Sequence, residues 1–246
     1  MKFNQRIAIV TGASGGIGKA TVRRFLQDGA SVMLAGHHQA KLDAVAAELG
    51  KEFDAQRIAT IECDVSKEDQ VVAAVDATEK RFGGWDIMVN NAGLMDFKPL
   101  EQQSGDDWLS VLNVDLMGAF YFIKQAFLRM KPGGAIVNIS SVHAVETEPL
   151  VAPYAAAKTA LLSLTRSSAL EGRPKGIRTN VILPGAIDTP MLWDNPNVKS
   201  GAEKIDKADV GQPEDVAAAI AFLVSDEARF VCGAELRVDG GRLDRL

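Results

Sequence analysis

A tyrosine and a lysine stand four residues apart in VAPYAAAKTALLSL, residues 151–164. On a helix such positions share a face, with Cβ atoms about 5–6 Å apart. A free phenol ionises near pH 10, so at neutral pH only about one in a thousand is phenolate. A cation within about 4–6 Å lowers an acid's pKa by roughly 1–3 units. Lys158 is therefore placed to draw Tyr154 toward a range in which it exchanges protons with a substrate. Reaching neutrality takes about 3 units, roughly 4 kcal/mol, the upper end of what one neighbour supplies. In isolation the same pair also suits a packed tyrosine beside a lysine whose stem lies along the surface. The rest of the chain decides between the two.

Elements able to hold such a pair recur along the sequence. Short β-branched runs at 6–12, 31–36, 57–63, 86–92, 135–140, 178–184 and 234–240 read as strands, separated by longer helical stretches. Several are near-continuous apolar runs, as strands buried on both faces are. Ser66–Asp69 and Ser104–Asp107 have the form of capping boxes with Asp in place of Glu. Gln212-Pro213-Glu214-Asp215 puts proline and acids where a helix starts. The alternation predicts one α/β domain over 1–246, with a doubly wound, Rossmann-type, seven-stranded parallel sheet flanked by helices on both faces. Residues 188–211 lack periodicity, which predicts a lid.

The first strand runs into TGASGGIGKA, residues 11–20, with glycines at 12, 16 and 18. Glycine allows a tight turn and close approach to a pyrophosphate, and the following helix offers its first amides to the anion. A glycine-rich turn without a ligand has the same composition, but its place after the first strand of an alternating chain favours a dinucleotide.

Taken together, the motifs resemble the short-chain dehydrogenase/reductase family in its compact branch. Thr11-Gly-Ala-Ser-Gly-Gly-Ile-Gly18 resembles that family's cofactor loop, and Asn90-Asn-Ala-Gly93 its NNAG motif. Asn113 in LNVDLMGAF matches its helix asparagine, Ser141 its serine, and Tyr154 with Lys158 its YxxxK pair. Leu183-Pro-Gly185 followed by Thr189 matches its PG motif, and Val238-Asp-Gly-Gly241 its closing strand. The order is the family's and the motifs span nearly the whole chain.

The resemblance implies an NAD(P)-dependent oxidoreductase that interconverts a carbonyl and a secondary alcohol by hydride transfer. Tyr154 is then the acid in reduction and the base in oxidation. Ser141 stabilises charge developing on the substrate oxygen. Lys158 tunes Tyr154, helped by the cationic oxidised nicotinamide, and holds the cofactor ribose. Asn113 anchors a water relay from Lys158. Ser140 and Ser141 point to opposite faces, and the family's serine-to-tyrosine spacing selects Ser141. A cofactor-binding sensor without catalysis, and an isomerase or dehydratase on the same scaffold, are the alternatives.

For the cofactor, Gly12, Ser14, Gly16, Ile17 and Gly18 are expected around the pyrophosphate, and Asp64 with Val65 at the adenine edge. Asn91, Ala92 and Gly93 are expected along the adenosine, and Pro184, Gly185, Ile187 and Thr189 by the nicotinamide. In NAD enzymes of this type a carboxylate after the second strand binds the ribose hydroxyls. Here the segment reads Leu34-Ala-Gly-His-His38, with Gly36 in the acid's place and His37 where many NADP enzymes carry Arg. Nothing repels a 2′-phosphate, and His37 can donate to one. NADP(H) is expected ahead of NAD(H), although Gly15 stands where some NADP enzymes have a basic residue. Leu94, Met95, His143, Val145, Met191, Leu192 and Trp193 are candidates to line an apolar substrate pocket.

The formal net charge is −5 with no basic block, which argues against nucleic acid as a partner. MKFNQRIAIVTG enters a strand pattern without an apolar signal core. No apolar run is expected to reach the roughly 20 residues of a membrane span. Cys63 and Cys232 are read as buried, reduced thiols of a cytoplasmic protein. Three histidines, two of them adjacent, predict no metal site. The apolar stretches at 106–130 and 154–171 exceed one sheet-facing stripe, and with the resemblance they imply a homotetramer.

Overall fold

The computed structural model describes residues 2–244. Seven strands form one sheet: β1 (Ile7–Thr11), β2 (Ser31–Gly36), β3 (Ile58–Glu62), β4 (Ile87–Asn90), β5 (Ala135–Ile139), β6 (Arg178–Pro184) and β7 (Glu235–Val238). They lie in the order β3-β2-β1-β4-β5-β6-β7, and every neighbouring pair is parallel. Successive side chains alternate between the faces. On β1 and β2, Ala8, Val10, Val32 and Leu34 enter one apolar cluster, while Ile9, Met33 and Ala35 enter the other.

The first cluster is covered by α1 (Gly16–Gln27), α2 (Gln39–Leu49) and α9 (Pro213–Val224), through Phe25, Leu42 and Ile220. The second is covered by α3 (Glu68–Phe82) and α5 (Gly118–Arg129), through Val75 and Phe122. This is the doubly wound α/β sheet expected from the sequence. The order reverses at β1 and β4, and that reversal opens a crevice at the strands' carboxyl ends.

Helix starts follow local chemistry. In α4 (Gly105–Leu112), Asp107 N–H donates to Ser104 Oγ at 3.2 Å and Ser104 N–H donates to Asp107 Oδ2 at 2.7 Å, which is the expected box. Helix α9 has the equivalent box from Gln212 and Asp215, with Pro213 at its first position. The box expected at Ser66 does not form. Asp64 Oδ1 takes the Ser66 N–H at 3.0 Å, and α3 begins at Glu68 with no side-chain cap.

The apolar stretch at 106–130 forms α4, a π-helical turn Asn113–Met117, and α5. The run Gly105–Arg129 has mean hydropathy 1.2 over an 18-residue window and matches a membrane span by length and composition only. In this fold Val111, Phe122, Ile123 and Ala126 turn inward instead. Cys63 is buried, but Cys232 is exposed, its Sγ 3.7 Å from Ala169 O, rather than buried as read.

Helix α6 (Ala152–Gly172) crosses the C-terminal half of the sheet and carries Tyr154 and Lys158. The aperiodic segment 188–211 folds into α7 (Pro190–Trp193) and α8 (Pro196–Ser200). Its ends are tied by Asp188 N–H to Gly211 O at 2.9 Å and Gly211 N–H to Ala186 O at 2.9 Å. Asn195 Nδ2 donates to Glu148 Oε1 at 2.7 Å, fastening it to the loop after β5.

Candidate active site

The loop after β1 is shaped by backbone demands that only glycine meets. Gly12 and Gly16 have φ of +62° and +49°. A Cβ on Gly18 would sit 2.2 Å from Gly12 O, so α1 rises close against the turn. Gly15, extended at the head of α1, gives no side-chain cap, and the first amides of the helix are left for an anion. Thr11 Oγ1 accepts from Asn91 N at 2.9 Å and Ala92 N at 3.0 Å, and Asn91 Nδ2 donates to Thr11 O at 2.9 Å. The glycine loop and the NNAG loop are thereby one unit.

A cleft of about 600 Å³ runs over both loops. Of the residues expected around a cofactor, Gly12, Ser14, Gly16, Ile17, His37, Asp64, Val65, Asn91, Ala92, Gly93, Pro184, Gly185, Ile187 and Thr189 line it, as do Ser141, Tyr154 and Lys158. Gly18 does not; it supports the turn from behind. Thr189 Cγ2 would be 3.1 Å from a Cβ on Gly16, so the head of the 188–211 segment closes over the glycine loop. His37 and His38 are exposed at the rim, ring centroids 3.9 Å apart. A turn that excludes side chains and an uncapped helix end fit a dinucleotide.

At the other end of the cleft, Tyr154 and Lys158 are 6% and 3% exposed. Lys158 Nζ lies 5.3 Å from the Tyr154 ring centroid, as the helical spacing predicts. It donates to Ile139 O at 3.0 Å and stands 3.1 Å from Asp115 Oδ2. Ser140 Oγ donates to Lys158 O at 2.9 Å, tying the end of β5 to α6, while Ser141 begins a short turn and faces Tyr154.

The electrostatics correct one expectation. Burial raises the Tyr154 phenol above its ordinary range, and Asp115 adds to that. Lys158 and Ser141 pull the other way without prevailing, so Tyr154 is a phenol in this site rather than one brought down by its lysine. Burial opposes the Lys158 ammonium, but Asp115 and Tyr154 outweigh it and hold its pKa above the usual range.

Asn113 opens the π-turn; no polar contact joins its side chain to Lys158 among the described residues, and it does not line the cleft. Residues two apart on a helix point to opposite sides. Asp115 is the one that faces Lys158, and sequence reasoning missed it. The signal was an acid in the apolar run LNVDLMGAF, where burial demands a partner.

Leu94, Met95, His143, Met191 and Leu192 line the cleft beyond Tyr154, joined by Asn195, which was not foreseen. Val145 and Trp193 do not line it: Val145 is 58% exposed, and Trp193 Nε1 donates to Asp188 Oδ1 at 2.7 Å. The His143 ring meets the Tyr154 ring edge-on at 5.9 Å, and burial holds its pKa below the usual range.

A family model described as enoyl-(acyl carrier protein) reductase matches residues 12–242. The chain is 40% identical over 243 residues to 3beta-hydroxysteroid dehydrogenase 1 of Eggerthella lenta, covering 96% of this chain and 93% of that one. A solved structure of a short-chain dehydrogenase/reductase, glucose/ribitol dehydrogenase, from Brucella melitensis matches with TM-score 0.88 and 36% identity over 98% of each chain. Blue fluorescent protein from a metagenomic library, solved in complex with NADPH, matches with TM-score 0.89 and 36% identity over 98% of this chain and 99% of that one.

Proposed function

The chain belongs to the short-chain dehydrogenase/reductase family and is an NAD(P)-dependent oxidoreductase acting on alcohol and carbonyl groups, in which we propose that Tyr154 carries the proton. The observation behind this is the convergence of Tyr154, Lys158 and Ser141 at one end of a cleft whose other end is a glycine cradle. When bound, the nicotinamide supplies or accepts the hydride. Tyr154 donates its phenolic proton to the carbonyl oxygen in reduction and takes a proton from the alcohol in oxidation. Ser141 hydrogen-bonds the same oxygen as charge grows on it. Lys158 stabilises the phenolate that Tyr154 leaves behind. Amides of the glycine loop and of the start of α1 hold the pyrophosphate.

NADP(H) is the preferred cofactor in this reading, supported by the missing carboxylate at Gly36 and by His37 at the rim. The chain works as one domain in the cytoplasm, with 188–211 as its substrate lid. It assembles as a homotetramer, supported by apolar side chains left outward on α4 to α6: Leu109, Leu128 and Leu170 are 55%, 69% and 74% exposed. The substrate is a small carbonyl or alcohol compound with an apolar body.

The test is consumption of NADPH and, separately, NADH over a panel of prochiral ketones, keto-esters and diketones. Turnover faster with NADPH is expected. Cofactor binding without turnover on any carbonyl would replace this reading with that of a nicotinamide sensor, and product formed without net cofactor consumption would indicate an isomerase.

A further inference from the structure

The strongest polar feature that the proposed chemistry does not use is the carboxylate behind Lys158. We propose that Asp115 is a positioning residue that pins Lys158 as an ammonium and shields Tyr154 from its charge, so that the site gives protons readily at neutral pH and takes them from an alcohol only at alkaline pH. The inference rests on the reading of Tyr154 as the proton-exchanging group.

The geometry is that of a built site. The Asp115 side chain is 0% exposed and that of Lys158 4%. Asp115 Oδ1 accepts the Leu94 N–H at 2.7 Å, and Oδ2 stands 3.1 Å from Lys158 Nζ. Across from it, Lys158 Nζ donates to Ile139 O. The ammonium is thus held by one hydrogen bond to a backbone carbonyl and by its ion pair with Asp115. The loop after β4 passes directly over the pair: a Cβ on Gly93 would sit 3.4 Å from Asp115 Oδ2 and 3.5 Å from Lys158 Nζ. The π-turn is what delivers the carboxylate. Gly118 N–H reaches back to Asn113 O, five residues earlier, and the helix's phase changes there.

Helix α6 presents Tyr154 and Lys158, and the π-turn presents Asp115. The segment after β5 presents His143, kept neutral by burial, with Glu148 beyond it at 4.0 Å from its Nε2. Glu203 and its partner Arg242 lie past Glu148. Strands β4 and β5 contribute the neutral amides of Asn90 and Asn138, hydrogen-bonded to each other at 2.8 Å. One cation and one anion therefore face Tyr154 at close range. A lone cation would favour phenolate, and a carboxylate 3.1 Å from that cation cancels much of its field. The shifts of Tyr154 and Lys158, both upward, agree; burial raises Asp115 as well, against the opposing pull of Lys158 and of the Leu94 N–H.

The chain has only two tyrosines, Tyr121 and Tyr154, so Tyr121→Phe leaves Tyr154 as the sole phenol and its phenolate absorbance can be titrated directly. In that background Tyr154 is expected to stay un-ionised through the range in which a free phenol titrates. Asp115→Asn is expected to lower the midpoint by about 1 unit. The acid limb of alcohol oxidation kcat/KM should move down by the same amount, a roughly tenfold gain at neutral pH. Asp115→Glu, which keeps the charge, should restore the parent midpoint. If Asp115→Asn does not fold, Asp115→Ser removes the charge with less bulk and carries the same expectation. A midpoint that is unchanged or higher in the folded, charge-removed variant overturns the proposal. A midpoint that falls while the oxidation profile stays put upholds Asp115's effect on Tyr154 and overturns Tyr154 as the proton carrier.

Discussion

Thr11→Val tests whether the two cofactor loops are one unit. Thr11 is 1% exposed at the end of β1, and valine keeps its shape. Its hydroxyl accepts the Asn91 and Ala92 N–H groups at 2.9 and 3.0 Å, and donates to Val89 O at 3.3 Å. Valine leaves both amides without that acceptor. A buried donor left unpaired costs roughly 1–3 kcal/mol, and with Asn91 and Ala92 only half-buried the pair comes to about 2–4 kcal/mol. In a chain of this size each kcal/mol moves the melting midpoint by roughly 2–4 °C, so a fall of about 4–16 °C is expected by circular dichroism. NADPH affinity should fall with it, because the loosened loop lines the cleft. Thr11→Ser keeps the hydroxyl and should recover most of both. A Thr11→Val protein that melts within about 1 °C of the parent and binds NADPH equally well would refute the reasoning.

Three further perturbations probe other parts of the account. Gly18→Ala drives a methyl to 2.2 Å from Gly12 O; overpacking of about 1–3 kcal/mol should weaken NADPH roughly 10- to 100-fold in a fluorescence titration, and parent-like affinity would contradict the cradle. Gly15→Arg enters open space at the rim and supplies a charged donor for a 2′-phosphate; the NADPH-to-NADH preference should rise roughly 10-fold or more in kcat/KM, and an unmoved ratio would place the phosphate elsewhere. Glu148, pushed up to about 7 by burial and by Glu203, is a carboxyl whose folded pKa lies above its ordinary 4.5. The folded state holds its proton more tightly, so this contribution is fullest below about 4.5 and is lost as pH rises through about 7. Glu148→Gln should flatten that decline in melting midpoint, and an equally steep decline in the variant would assign it to other groups.

How far the sequence was legible depends on how local each determinant is. Strands covered on both faces are apolar at nearly every position, so β4 and β5 stood out as runs, interrupted only by Asn90 and Asn138, whose amides bond each other. The Ser104 box was readable because both of its bonds close within four residues. Ser66 has the same letters, but Asp64 two residues earlier takes its amide, a competition that spacing does not reveal. The glycine loop was readable because positive φ and a 2.2 Å approach leave no other residue type. Asn113 and Asp115 show the limit. A motif gives order, but the face a residue presents depends on helix phase, and the π-turn changes that phase. The i to i+4 spacing likewise placed Lys158 beside Tyr154 without disclosing how deeply both are buried or which carboxylate stands behind them.

The most direct test of Tyr154 as the proton carrier separates binding from turnover in Tyr154→Phe. Phenylalanine keeps the ring in its buried place and removes only the hydroxyl. NADPH affinity should stay within a few-fold of the parent, while kcat for ketone reduction falls by roughly 10²–10⁴. A variant that binds NADPH and reduces the same ketones at close to the parent rate would contradict the account.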